Sequence, residues 1–258
     1  MSPALSVLLD SYGADARQAF SRARRDGFAQ IEAGTLTGDL RPSELSTSGR
    51  RHLLRVLRDQ GLSLAGLAVE HAGAGLADLQ FADRRLAEAR AALELAADLG
   101  VPRATVRVAG WDNAETGAAA SQILQSLAND ADRFGVRIAI GASDPEIAKL
   151  SDAVEKLRAP GLGILLSSTA AVRPDADVQR AARLAAAVRL RDGFVRGESW
   201  EETPLGSGQV DFHALLAELA TAEFSQDLTL QRAAAARDVD ALRRDRDTIS
   251  ALLGGGPR

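Results

Sequence analysis

The sequence predicts a (β/α)8 TIM barrel formed by a single domain over residues 1–258. A length of 258 residues suits one such barrel, since the fold typically needs about 250 residues. Eight short apolar runs alternate with helical patterns along the whole chain, and this alternation is typical of a sheet of parallel strands joined by helices. No change in composition and no long linker in the sequence marks a second domain.

The predicted strands are the short apolar runs, each of five or six residues. Runs of that length, separated by longer segments with helical spacing, are read as strands rather than helices. In chain order they are LSVLL at 5–9, AQIEA at 29–33, LAGLAV at 64–69, ATVRVA at 104–109, VRIAI at 136–140, LGILL at 162–166, AAVRL at 186–190 and DLTLQ at 227–231.

The clearest helix is predicted between residues 78 and 99. Leucines and alanines from Leu86 to Ala96 keep the spacing of one helix face, and Gly100 follows as a closing residue. Further helix starts are indicated by residues that favour a cap or a first turn. These are Pro42-Ser43-Glu44, Asp144-Pro145-Glu146 and Asp211.

A doubly wound open sheet is the alternative fold. That fold places a glycine-rich phosphate loop after its first strand, whereas the corresponding segment here, SYGAD at 11–15, has one glycine. The barrel is therefore favoured.

Composition and charge exclude several classes of protein. Apolar residues make up 46% and charged residues 26% of the chain, which fits a globular protein with a sizeable core. A net charge of −4 argues against nucleic acid as a partner. The absence of cysteine excludes disulfides and thiolate ligands. The first 15 residues show no basic leader and no apolar run long enough for a signal peptide or membrane span, so we expect a cytoplasmic protein without a membrane partner.

Several segments, in order along nearly the whole chain, resemble one known family. They are GFAQIEAG at 27–34, ELAADLGVPRATVRVAG at 94–110, VRIAIGASDPE at 136–146, GLGILLSSTA at 161–170, VRLRDGF at 188–194 with PLGSGQVDF at 204–212, and LTLQR at 228–232. Together they resemble the sugar phosphate isomerase/epimerase family, whose fold is the xylose isomerase-like TIM barrel. The resemblance implies an isomerase-like or epimerase-like protein with its ligand site at the carboxyl ends of the strands.

The resemblance also implies one divalent metal, held by a Glu, an Asp, a His and a Glu from the fifth to the eighth strands. The matching positions in this sequence are Gly141, Ser167, Arg189 and Gln231. None of them offers the carboxylate or imidazole that divalent ions require. We therefore expect no metal and no other cofactor, and we expect the metal-dependent enediol mechanism to be lost.

Arginines are the charged residues expected at the mouth in place of the metal. Arg189 and Arg191 lie two apart and so on one side of their strand, and Arg107 comes from the fourth strand. Guanidinium groups bind phosphate and carboxylate, so we expect a small sugar-like or anionic ligand here. Structural ion pairs with nearby carboxylates are the alternative. The glycines of 204–212 favour either a loop whose backbone approaches a phosphate or a plain turn.

Five further residues are candidates for the site. His71 and Glu70, after the third strand, are the remaining acid/base candidates. Glu32 and Asp192 match positions that the family keeps near its substrate, and Trp111 lies in a loop on the ligand face, where it would stack on a sugar ring. For each of them, a structural role in ion pairing or packing is the alternative.

Three functional interpretations remain open from the sequence. The first is a barrel that has lost its metal and binds a small metabolite, with or without metal-independent chemistry. The second is a catalytically inactive barrel that binds a partner protein or assembles with an active homologue. A homo-oligomer is compatible with either interpretation. An open mouth lined by arginines favours the first, and a mouth closed by arginine–carboxylate pairs favours the second. The third, a relocated metal site, requires Glu32, Glu70, His71 and Asp192 to converge.

Overall fold

Eight parallel strands close into a barrel in the computed structural model, which describes residues 3–13, 15–36, 38–196, 199–233, 238 and 240–254. The first seven barrel strands are β1 (Leu5–Leu8), β2 (Gln30–Gly34), β3 (Ser63–Val69), β4 (Arg103–Arg107), β5 (Arg137–Gly141), β6 (Leu162–Ser167) and β7 (Ala185–Leu190). An antiparallel hairpin of β8 (Asp192–Arg196) and β9 (Ser199–Thr203) follows. The last barrel strand is β10 (Leu228–Leu230). Strands β1 to β7 pair in sequence order, and β10 closes the ring between β7 and β1. The predicted barrel and all eight predicted strands are confirmed.

Helices follow the strands and surround the barrel. They are α1 (Ala16–Arg25), α2 (Thr47–Asp59), α3 (Ala82–Leu99), α4 (Ala114–Phe134), α5 (Ile147–Leu157), α6 (Val178–Leu184), α7 (Phe212–Thr221) and α8 (Ala241–Gly254). Within the described ranges, none of these helices is both long and apolar enough to cross a membrane.

Most helix boundaries lie close to the predicted ones. The helix predicted over 78–99 begins at Ala82, and the predicted cap Asp211 accepts a hydrogen bond from a backbone N–H in the first turn of α7. The predicted starts at 42–44 and 144–146 form single 3-10 turns, and the α-helices α2 and α5 begin a few residues later.

The apolar core lies between the outer face of the sheet and the inner faces of the helices. Strand residues such as Ile138 and Ile140 are fully buried there, opposite helix residues such as Leu93, Leu124 and Leu127. Burial of each such side chain stabilises the fold by about 1.5–3 kcal/mol. The apolar packing that stabilises the barrel therefore lies outside the sheet. The inside of the barrel can contain polar and charged residues.

The inside of the barrel contains a buried ion pair near its amino-terminal end. Arg103 donates to Asp227 through two nitrogens, at 2.8 and 3.2 Å, and the Ser6 hydroxyl also donates to Asp227. Burial acts to raise the pKa of Asp227, but the hydrogen bonds and charge of Arg103 hold it below its usual range. Barrel interiors are usually filled by branched apolar side chains, so this one is unusually polar.

Candidate ligand site at the barrel mouth

A cavity of about 340 Å³ opens at the carboxyl ends of the strands, which is the usual ligand face of this architecture. Gly141, Ser167, Arg189 and Gln231 all line it. The strand register brings them together, since Arg189 lies beside Ser167, and Arg107 beside Gly141. The four positions matched to metal ligands therefore surround one common space.

The walls of this cavity do not suit a divalent cation. In the part of the chain that the structure describes, no group of three or more His, Cys, Asp or Glu side chains is placed to hold an ion. A β-carbon added to Gly141 would lie 3.1 Å from Cδ2 of Leu165, so the leucine side chain takes up space beside the position where the family has a glutamate. The residues present do not fit the metal that the resemblance implies.

Arg189 lies at the floor of the cavity in a buried ion-pair network. Its side chain is 3% exposed and donates to Oε1 of Glu32 at 2.9 Å, to the Thr105 hydroxyl at 3.0 Å and to Glu70. The Thr105 hydroxyl donates in turn to Glu32 at 2.7 Å. One guanidinium is thus matched by two carboxylates, which is the internal pairing that the sequence left open as an alternative.

The electrostatics of this network favour the charged forms of Glu32 and Arg189. Burial acts to raise the pKa of Glu32, but the charges of Arg189 and Arg103 and the hydrogen bonds to Glu32 hold that pKa below its usual range. Burial likewise acts to lower the pKa of Arg189, and the charges of Glu32 and Glu70 raise it above its ordinary value. Glu32 is fully buried, whereas the side chain of Glu70 is 30% exposed and reaches the cavity.

Three more arginines, Arg107, Arg173 and Arg191, form one wall of the cavity. The Nε of Arg107 donates to the carbonyl of Gly73 at 2.9 Å, and no described residue accepts a hydrogen bond from its terminal nitrogens. Arg173 has no ion-pair partner within the described ranges. Arg191 lies 3.5 Å from Oε1 of Glu202. Arg107 and Arg173 therefore present charge that no ion pair within the described residues matches.

The backbone around these arginines is fixed by close contacts. Gly75 has a φ of +63°, and a β-carbon there would lie 2.1 Å from the carbonyl oxygen of Arg107, so only glycine lets this loop pack on the end of β4. The Ser168 hydroxyl accepts from the N–H of Arg191 at 2.8 Å and donates to its carbonyl at 2.6 Å. The two arginine positions are thereby held against the loops after β3 and β6.

Several residues of the site were not identified from the sequence. Arg173, Thr169 and Asp144 line the cavity, and Asp10 lines a smaller cavity of about 200 Å³ that shares Glu70. Asp144 was interpreted as a helix start alone. Two of these residues could have been identified from their position in the sequence, because Asp144 and Thr169 follow the carboxyl ends of β5 and β6.

His71 does not accompany Glu70 into the cavity. Neighbouring residues at the end of a strand point to opposite faces of the sheet, and His71 faces α3. Its Nε2 lies 3.2 Å from Oε2 of Glu88 without the alignment of a hydrogen bond, and burial lowers its pKa. Trp111 is also absent from the lining of the cavity, and its indole N–H donates to the carbonyl of Val108 at 2.9 Å.

Asp192 is fully buried and organises the glycine-rich loop after the hairpin. Its Oδ1 accepts from the N–H groups of Gly193 at 2.8 Å and Val210 at 3.1 Å. Its Oδ2 accepts from those of Gly206 at 2.8 Å and Gly208 at 2.9 Å. The loop closes around an anion, and that anion is the carboxylate of the protein itself rather than a phosphate. Asp192, which the sequence predicted as a substrate contact, makes these structural hydrogen bonds.

The residues proposed for a relocated metal site are not grouped around a common ion position in the described part of the chain. Glu32 and Glu70 do approach each other, but the guanidinium of Arg189 lies between them. His71 and Asp192 have the other partners described above. The four residues therefore do not converge on a common point.

Comparison with known proteins agrees with this architecture. Residues 20–245 match the family described as the xylose isomerase-like TIM barrel. Similar solved structures include a xylose isomerase domain protein from Planctomyces limnophilus (17% identity, TM-score 0.78, 98% of this chain and 95% of that chain), the IOLI protein with a bound zinc atom (16%, 0.80, 99% and 99%) and an L-ribulose 3-epimerase (16%, 0.77, 98% and 95%). Identities this low show similarity of fold. No curated protein sequence matches the chain.

Proposed function

Because the chain belongs to the xylose isomerase-like TIM barrel family, we propose that it is a sugar isomerase/epimerase-like barrel that binds a small sugar-like anion at its mouth without a metal. The observation that supports this most directly is the cavity wall formed by Arg107, Arg173 and Arg191.

The charge of this wall suits an oxyanion. A guanidinium group presents paired N–H donors that match carboxylate and phosphate oxygens. Arg107 and Arg173 have no carboxylate partner among the described residues, so an incoming anion does not have to displace one. A cavity of about 340 Å³ lies at the small end of the range for ligand sites, which is roughly 300–1,000 Å³, and therefore favours a small metabolite over a polymer.

Other residues that line the cavity suit hydroxyl groups. Glu70 offers carboxylate oxygens, while Ser167 and Gln231 offer groups that both donate and accept hydrogen bonds. A ligand with an anionic group at one end and hydroxyls along its length satisfies both sets of residues. Sugar acids and sugar phosphates have this chemistry.

The pairing of Arg189 changes which residues we expect to hold the anion. From the sequence, Arg189 and Arg191 were the expected pair. Since Glu32 and Glu70 already match the charge of Arg189, we now assign the anion contacts to Arg107, Arg173 and Arg191. Arg189 instead holds Glu70 in place at the floor of the cavity.

Calorimetric titration tests this proposal. Inorganic phosphate, ribose 5-phosphate and gluconate are titrated into the native protein, Arg173→Gln and Arg107→Gln, with and without prior treatment with a chelator. We expect each substitution to weaken binding about tenfold, the effect of losing one charge-assisted hydrogen bond, and we expect the chelator to change nothing. The control is Arg180→Gln, whose arginine lies on α6 and pairs with Asp152 and Glu155. Equal affinities in all four proteins would contradict the proposal.

The inactive barrel is the second candidate, and the Arg189 network is the observation that favours it. The network pairs Arg189 internally with Glu32 and Glu70 and resembles a structural core more than a catalytic centre. A protein with this function binds none of the three anions and instead associates with itself or with a partner chain. Light scattering across a range of protein concentrations, measured beside the titrations, separates the two candidates.

A further inference from the structure

Asp144 is a carboxylate in the wall of the arginine-lined cavity, and the structure holds it there firmly. It is the first residue of the turn Asp144–Glu146 after β5. Glu146 closes the turn by accepting from the Ser143 N–H at 3.3 Å, and it also accepts from the N–H groups of Gly110 and Trp111 at 2.7 and 2.6 Å. The turn is therefore tied to the loop after β4, and Asp144 has a fixed place.

Positively charged residues surround Asp144, yet no described residue forms an ion pair with it. Arg191, Arg173 and Arg107 all act on its pKa through their charges, and the Thr169 hydroxyl faces it. None of these arginines lies close enough to form an ion pair with Asp144 in the described part of the chain. The carboxylate is thus neither a partner that neutralises one arginine nor a group exposed to bulk solvent.

A site evolved only to attract negative charge gains nothing from this carboxylate, because its own charge opposes the ligand. A carboxylate does provide a hydrogen-bond acceptor with no donor of its own. It therefore repels an oxyanion that carries only lone pairs. It accepts a hydrogen bond from an oxyanion that carries an O–H group.

We infer that Asp144 selects the ligand: the cavity takes oxyanions that carry their own O–H donor, with the oxyanion bound by Arg107, Arg173 and Arg191 and the O–H donated to Asp144. This inference rests on the proposed function of the same cavity. Two sources of the O–H share this chemistry, namely a protonated oxygen of the anion itself, as in hydrogen phosphate, and a hydroxyl on the neighbouring carbon, as in a hydroxy acid.

The experiment compares two pairs of anions that differ in the O–H group. Phosphate and sulfate form the first pair, and glycerate and propionate form the second. Each is titrated by calorimetry at pH 7 into the native protein, Asp144→Asn and the control Asp152→Asn, which removes an exposed carboxylate of α5. We expect the native protein and the control to prefer the O–H member of at least one pair by about tenfold, the contribution of one hydrogen bond to a charged group.

In Asp144→Asn, the preference is expected to fall close to one, mainly because sulfate or propionate binds more tightly once the opposing charge is removed. A preference confined to phosphate over sulfate identifies a protonated anion as the ligand type, and a preference confined to glycerate identifies a hydroxy acid. Binding without any preference in the native protein, or an unchanged preference in Asp144→Asn, overturns the inference while the proposed function stands. Failure of all four anions to bind overturns both.

Discussion

Replacement of Arg189 by methionine tests the buried network at the floor of the cavity. Methionine keeps the apolar length of the side chain and removes the guanidinium. Glu32 then loses its ion pair at 2.9 Å and keeps the hydrogen bond from Thr105 at 2.7 Å. Its second oxygen, Oε2, has no hydrogen-bond partner among the described residues even in the native protein, so no other group is placed to compensate.

The expected cost is large because Glu32 is fully buried. Removal of one partner from a buried ion pair typically lowers the free energy of unfolding by about 3–5 kcal/mol, since a charge is left without compensation. Glu70 adds little, because its side chain is 30% exposed and water screens its charge. We therefore expect a loss in this range at neutral pH.

The loss depends on pH in a direction set by Glu32. In the native protein its pKa lies below the usual value, so the stabilisation by the ion pair is present above the unfolded pKa of about 4.3 and is lost as the pH falls through the folded pKa. In Arg189→Met, burial without the ion pair moves the folded pKa upward. The ionised glutamate then destabilises the fold increasingly as the pH rises, and the difference between the two proteins is largest at neutral pH.

Urea unfolding followed by circular dichroism at pH 7.5 and pH 4.5 measures this difference. Arg243→Met, which breaks an exposed pair with Asp240 at 3.3 Å, is the control and should leave the unfolding midpoint nearly unchanged. Addition of Glu32→Gln to Arg189→Met removes the stranded charge and should recover much of the loss. If Arg189→Met unfolds at the same urea concentration as the control at pH 7.5, or loses more stability at pH 4.5, the reasoning is refuted.

Three other substitutions follow from the same structure. Asp192→Asn replaces an acceptor oxygen by an NH₂ group facing two loop N–H groups, so the free energy of unfolding should fall by about 2–3 kcal/mol, and an unchanged urea midpoint would contradict the role assigned to that carboxylate. Burial raises the pKa of Asp144, so its ionised form destabilises the fold above the unfolded pKa of about 3.9. Asp144→Asn should therefore raise the urea midpoint at pH 7, and this gain should shrink towards pH 3. A lower midpoint at pH 7 would argue against this reasoning. His71→Ala should leave calorimetric phosphate affinity unchanged, because the imidazole faces α3, and a tenfold loss would place it in the site after all.

The strands and the location of the site were predictable from the sequence because both follow from simple geometry. Buried parallel strands read as short apolar runs, and the carboxyl ends of parallel strands meet at one face of a barrel. Gly141, Ser167, Arg189 and Gln231 were each placed at such an end, and all four line the same cavity. The hairpin of β8 and β9 was missed because the segment SWEET at 199–203 is polar and lacks an apolar run.

The partners of the charged side chains were not predictable in the same way. Alternation along β4 shows that Arg103, Thr105 and Arg107 share one face, but it does not show what lies opposite. Glu32 and Arg189 are separated by 157 residues, and their contact across the barrel depends on the final register of several strands. In contrast, the divergence of Glu70 and His71 was available from the sequence, since adjacent strand residues face opposite sides.

The residues at the barrel mouth form a coupled arrangement rather than a set of independent substitutions. Restoring a glutamate at position 141 requires Leu165 to move, because even a β-carbon there lies 3.1 Å from its side chain. Restoring a histidine at position 189 removes the cation that matches Glu32 and Glu70 and leaves a buried carboxylate unpaired. Each single reversal is thus opposed by the residues around it, because Leu165 lies beside position 141 and Arg189 supplies the positive charge that matches Glu32 and Glu70. Under the proposed function, the cavity lined by these arginines takes an anion at the place where the resemblance implies a cation.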